Sequence, residues 1–180
     1  MRNVTHELVG VSLAVAASRV LKAGPVETVA VAAAAFHGSW LPDADQLGAR
    51  VHRRSRLERR SLVAGVLGAL ARLPLVAFAL ISRHRGITHS LAACLLLAGL
   101  AAATTAALGS FAAAVAGGLA LGYVGHVAAD ACTPSGVELW RPFSSRAVWL
   151  VPAVARVRTG SAREILVAVG ALALAAGALA

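Results

Sequence analysis

The sequence predicts an all-α fold, a polytopic bundle of transmembrane helices with metal-site loops gathered on one face. Three observations carry that expectation. Of 180 residues, 58% are hydrophobic and 14% charged, with a mean hydropathy of +0.75, whereas an average soluble domain is about 25% charged. Apolar runs of helical length recur from one end of the chain to the other. All three aspartates, Asp43, Asp45 and Asp130, lie in short motifs beside those runs, where ionisable groups are expensive and so mark function.

The elements follow in order. Leu8–Leu21 and Val26–Phe36 read as a helical hairpin turning at Gly24-Pro25, because proline lacks an amide hydrogen and disfavours helix in the residue before it. Arg2, the apolar run and Ala16-Ala17-Ser18 resemble a cleavable signal, but His6 and Glu7 are out of place in one. The first run is therefore read as a retained helix. The second extends towards Trp40, read as a membrane-interface residue. Leu91–Leu108 and Phe111–Ala129 approach the ~20 apolar residues that a crossing needs and are joined tightly at Gly109-Ser110. Ile165–Ala180 is slightly short for a span.

Charge sets the expected orientation. Arg50, Arg53, Arg54, Arg56, Arg59 and Arg60 crowd His37–Ser61; Arg83 and Arg85 lie in Ser82–Ser90. Arg141, Arg146, Arg156, Arg158 and Arg163 lie in Ala131–Glu164. By the positive-inside rule all three connectors face the cytoplasm. Leu62–Ile81, basic on both flanks and interrupted by Arg72 and Pro74, must then start and end on one side, as a re-entrant or interfacial hairpin. A true crossing would separate Asp43 and Asp45 from His89. The net charge of +9 is thus a topological signal. With no basic face interleaved with aromatics, nucleic acid is not an expected partner; the lipid bilayer is. Cys94 and Cys132 form no disulfide framework.

The chemistry-bearing motifs are short. His126 and Asp130 are four residues apart, so one helix face presents both, either to an ion or to each other as a packing pair. Leu41-Pro42-Asp43-Ala44-Asp45 reads as an extended turn with two carboxylates on one side, or as plain turn chemistry. In His84-Arg85-Gly86-Ile87-Thr88-His89-Ser90, Thr88 or Ser90 caps the following helix, and two histidines flank an arginine. His6 completes the set, while His37 and His52 read as solvent or interface residues. His6, Asp43, Asp45, His84, His89, His126 and Asp130 make seven candidate ligands. A catalytic zinc takes about three protein ligands, so seven suit two ions better than one. Imidazole with carboxylate fits zinc, with manganese or iron as alternatives.

These motifs, continued by Gly125-His126-Val127-Ala128-Ala129-Asp130-Ala131-Cys132-Thr133-Pro134 and Leu139-Trp140-Arg141-Pro142-Phe143, resemble the membrane-bound metal-dependent hydrolase family, the YdjM-like proteins. Arg141 departs from the pattern by separating Trp140 from Pro142. The resemblance implies a single membrane-embedded domain over residues 1–180 with a metal site. It is distantly similar to zinc-dependent phospholipase C and the single-strand-specific zinc nucleases, which motivates a phosphoester substrate, lipid or small molecule.

The expected function is therefore a multi-pass inner-membrane hydrolase with its site on the cytoplasmic face. Asp43 and Asp45 would bind ions, one of them acting as general base, and Arg85 would neutralise an anionic group or simply anchor at headgroups. A transporter or metal-handling protein should spread its acids along a pathway, and Leu91–Leu108 has none. A non-catalytic scaffold would close its metal with about four ligands, fewer than the sequence offers.

Overall fold

The computed structural model describes residues 1–45, 61–70 and 86–180. Its helices are α1 (Asn3–Val20), α2 (Pro25–Gly38), α3 (Leu91–Leu108), α4 (Ser110–Ala131) and α5 (Ala162–Leu179), with one further helical stretch over 62–70. Single 3-10 turns occupy Pro42–Asp45, Ile87–His89 and Ala153–Ala155. Among the described residues the only extended pairing is an isolated bridge between Val137 and Val148.

The local breaks follow the side chains. α1 ends as Lys22 takes φ +54°, and α2 starts with Pro25 in its first turn, where the missing amide costs nothing. Gly109, at φ +84°, makes the tight corner between α3 and α4, a conformation that a Cβ would oppose. Ser90 caps α3 by accepting from the Ala93 amide at 3.2 Å, and Ser161 caps α5 through the Glu164 amide at 3.4 Å.

α4 is the central element, packed by α1, α2 and α3, while α5 lies against α1. Glycine makes the approach possible. A Cβ on Gly122 would stand 2.1 Å from the Ala35 carbonyl oxygen of α2, and one on Gly125 would stand 2.9 Å from Gly10 Cα of α1. Small residues at such spacing let helix backbones touch where lipid removes the usual hydrophobic drive. The consequence for the site is direct: Gly125 adjoins His126, and Gly10 lies one turn from His6.

Among the described residues two helices are long and apolar enough to cross a membrane, α4 and α5; the apolar part of α3, Leu91–Thr105, is shorter. α5 is not the buried core helix of a soluble protein, because only 11% of its apolar window is buried. Ile165, Leu166, Val169 and Leu172 all point outward, a continuous apolar face that needs a cover. α1 is fully part of the packing, with Ser12, Ala14, Val15 and Ser18 buried. Arg72 and Pro74, which prompted the hairpin expectation for Leu62–Ile81, lie outside the described residues.

Candidate metal centre

Four elements converge at one end of the bundle. α1 supplies His6 from its first turn, and α4 supplies His126 and Asp130 from its last two turns. The turns Pro42–Asp45 and Ile87–His89 touch each other and carry Asp43 and His89. His6, His89, His126 and Asp130 are all buried, and Asp43 keeps 22% of its side chain exposed.

The distances form a narrow set. His6 Nε2 lies 3.4 Å from Asp130 Oδ1, and His89 Nε2 lies 3.3 Å from Asp130 Oδ2. His126 Nε2 lies 3.6 Å from Asp43 Oδ1 and 3.7 Å from Asp130 Oδ2, and His89 Nε2 lies 3.9 Å from Asp43 Oδ1. In a tetrahedral shell with bonds of about 2.1 Å, ligand atoms sit about 3.4 Å apart. The observed spacings cluster around that value. Two groups, His6 with His126 and Asp130, and Asp43 with His89 and His126, bring ligand atoms within 4.8 Å of one another. The His6 and His126 rings stack at 4.0 Å.

His126 fixes the chemical sense of the cluster. Its Nδ1 lies 2.7 Å from the Ser39 carbonyl oxygen, which only accepts, so Nδ1 carries the hydrogen. In the neutral ring Nε2 is then a lone pair facing two carboxylates, and it makes no hydrogen bond. A buried lone pair opposite two carboxylates calls for a cation or a proton between them. A ring nitrogen held by a backbone carbonyl while its partner nitrogen faces carboxylates is the usual environment of a metal-ligating histidine. The fit to a divalent ion is therefore good. His126 is common to both groups and joins them.

Asp43 is the member that reaches outward. With Asn3, His6, Ser39, Trp40 and His126 it lines a cleft of about 10 Å³, roughly the space of one water. Burial pushes its carboxyl up, but the facing His126 and His89 imidazoles outweigh that and hold it below the usual carboxylate range.

The Asp43 segment is a 3-10 turn, not an extended loop, and in a 3-10 turn residues three apart share a face, not two. The side chain of Asp45 lies outside the described residues. Trp40 is not merely an interface residue, since its indole Nε1 donates to Glu7 Oε1 at 2.9 Å, bracing the Asp43 segment against α1. His126 Nε2 and Asp130 Oδ2 stand 3.7 Å apart, an ion-pair separation longer than a hydrogen bond. His84 and Arg85 lie outside the described residues.

Several supports had no signal in the sequence. The Ser39 carbonyl is backbone, and no residue type announces it. The Tyr123 hydroxyl donates to the Thr88 carbonyl and fixes the turn that carries His89. Glu164 accepts from the Arg2 amide, from Thr5 Oγ1 at 3.1 Å and from the Gly160 amide at 2.6 Å. It pins the start of α1, and hence His6, to α5.

The family model that describes YdjM inner membrane proteins matches residues 1–180. The chain belongs to that family. As a YdjM-family protein it is a membrane protein, and the apolar lengths of α4 and α5 agree with insertion. No curated protein and no solved structure matches this YdjM-family chain.

Proposed function

We propose that this protein is a metal-dependent hydrolase of the inner membrane, acting on a phosphoester of a lipid or small molecule at the cytoplasmic face. The observation that carries the proposal is the His126 imidazole, locked by Ser39 with its free nitrogen opposite Asp43 and Asp130. His6, Asp43, His89, His126 and Asp130 are the proposed ligands, for zinc by default and manganese or iron as alternatives. Asp45 and His84 are the candidates to complete a second ion's shell. When bound, a divalent ion would polarise a phosphoryl oxygen and lower the pKa of water.

The protein's own groups divide the remaining work. Asp130, deeply buried, faces the Nε2 atoms of His6, His89 and His126 at 3.4, 3.3 and 3.7 Å and would join them as a ligand. Asp43, at the cleft, stands where substrate would enter and would take a proton from the attacking water as general base. Trp40, Glu7 and Ser39 hold the cleft wall in place. Arg85 would meet the phosphoryl charge.

The test is metal analysis of the purified chain, then a phosphoester screen with and without chelator. Turnover should appear with metal, vanish on chelation and return on adding zinc. Asp43→Asn should keep the fold and lose about 10²–10⁴-fold in turnover, the span of a general base. Metal that binds tightly with no turnover on any phosphoester, and stability lost in Asp43→Asn, would instead identify a closed structural site.

A further inference from the structure

The segment between α4 and α5 carries a second polar cavity, chemically unlike the first. It has a volume of about 620 Å³ and is lined by Pro134, Val154, Arg156, Arg158, Ser161 and Arg163. Its charge is cationic. Among the described residues none of the three arginines forms an ion pair. The acids of the same region are committed elsewhere, Glu138 to Arg141 at 2.5 Å and Glu164 to the start of α1.

The cavity is built rather than casual. The Arg156 guanidinium carbon stacks 4.2 Å over the Trp149 ring, while its buried Nε has no hydrogen-bond partner. Trp149 is itself fixed, its Nε1 donating to the Pro134 carbonyl at 3.1 Å. The Leu150 amide donates to Ala131 and the Val157 amide to Cys132, at 3.1 and 2.9 Å, so the wall is stapled to the end of α4. Arg163 is partly occupied by the Val154 carbonyl, which holds its head at the cavity. Arg158 is exposed and has no partner among the described residues.

One stacked guanidinium, Arg156, beside Arg158 and Arg163, none of them in an ion pair among the described residues, suits the oxygens of a phosphate in this preformed hollow. What surrounds them is apolar: Val154 is 78% exposed and Leu150 59%, and α5 leaves the cavity with its leucines outward. A ligand with an anionic head and an apolar body matches both features. We propose that this cavity binds the phosphate of an anionic phospholipid headgroup, at a site separate from the His/Asp centre. The site needs neither metal nor hydrolysis, so it stands or falls independently of the enzymatic function.

The test uses the full chain in neutral detergent micelles, titrated with dioleoylphosphatidylglycerol and, in parallel, dioleoylphosphatidylcholine, with bound lipid counted by native mass spectrometry. The parent should retain one phosphatidylglycerol in preference to phosphatidylcholine, whose choline offsets the phosphate charge. Arg156→Gln with Arg158→Gln should weaken that binding about tenfold or more, since each basic group near anionic lipid contributes substantially, and leave metal content at the parent level. If the double variant does not fold, Arg158→Gln alone, at an exposed and unpaired side chain, carries the comparison. Equal phosphatidylglycerol retention by parent and variant overturns the site. Displacement of the lipid by excess inorganic phosphate overturns the lipid assignment in favour of a soluble phosphate ligand.

Discussion

His126 concentrates the chemistry of this protein in one ring. One nitrogen is taken by Ser39, and the other faces Asp43 and Asp130 at separations too long for hydrogen bonds and suited to a shared cation. In the proposed metal shell, losing His126 or Asp130 would leave few ligands to spare. His126→Ala and Asp130→Ala should therefore each lower bound metal by at least about tenfold, the scale on which even outer-shell losses are felt. His37→Ala is the comparison: that ring is exposed, hydrogen-bonds the Ala33 carbonyl and meets Phe36 and Trp40 only edge-on, away from the proposed ligands, so its loss should leave metal content near the parent level. Elemental analysis of the three purified variants decides the matter; full metal in all of them would reduce the cluster to packing.

The helices hold this ring in place through contacts between backbones. Where α4 crosses α2, Gly122 leaves no room for a methyl group, which would fall 2.1 Å from the Ala35 carbonyl oxygen. Gly122→Ala should push the helices apart, cost about 1–3 kcal/mol as overpacking does, and lower metal affinity as Ser39 moves off His126. Gly99→Ala in α3, with nothing within 4 Å of its added methyl, should change neither. Thermal unfolding beside a metal titration separates the two. The other support is Glu164, whose carboxylate joins α5 to the first turn of α1. Glu164→Ala should cost about 1.5–3 kcal/mol, as losing a buried hydrogen bond to a charged group does, and weaken metal binding through His6. Glu164→Gln, which keeps one accepting oxygen, should recover part of both. Unchanged metal affinity in a destabilised Glu164→Ala would confine that residue to folding.

For the whole molecule the decisive question is orientation. His6, Asp43, His89, His126 and Asp130 meet at one end of the bundle, and the arginine-rich connectors neighbour that end in sequence. Reporters fused after Arg56 and after Arg146 should both read cytoplasmic, and one inserted at Gly109-Ser110 should read external. Finding Arg56 and Arg146 on opposite sides of the membrane would sink the common-face site.

Much of this was legible from residue types alone. Apolar run length with Gly109, Gly24 and Pro25 places the helix breaks, because those residues act on the local backbone. His126 and Asp130 share a face by helical period, and Ser90 announces the start of α3 by its short side chain. The family membership likewise follows the motif order along the chain. Only the tertiary structure decided which candidate ligands share a centre, that the Asp43 segment is a 3-10 turn, and that Ser39, Glu7, Trp40, Tyr123 and Glu164 hold the others in place. The physical reason is that helix period is a local property, whereas the site is made where backbones 87 residues apart in sequence come together, and a carbonyl that fixes a histidine leaves no mark on the side chain of its own residue.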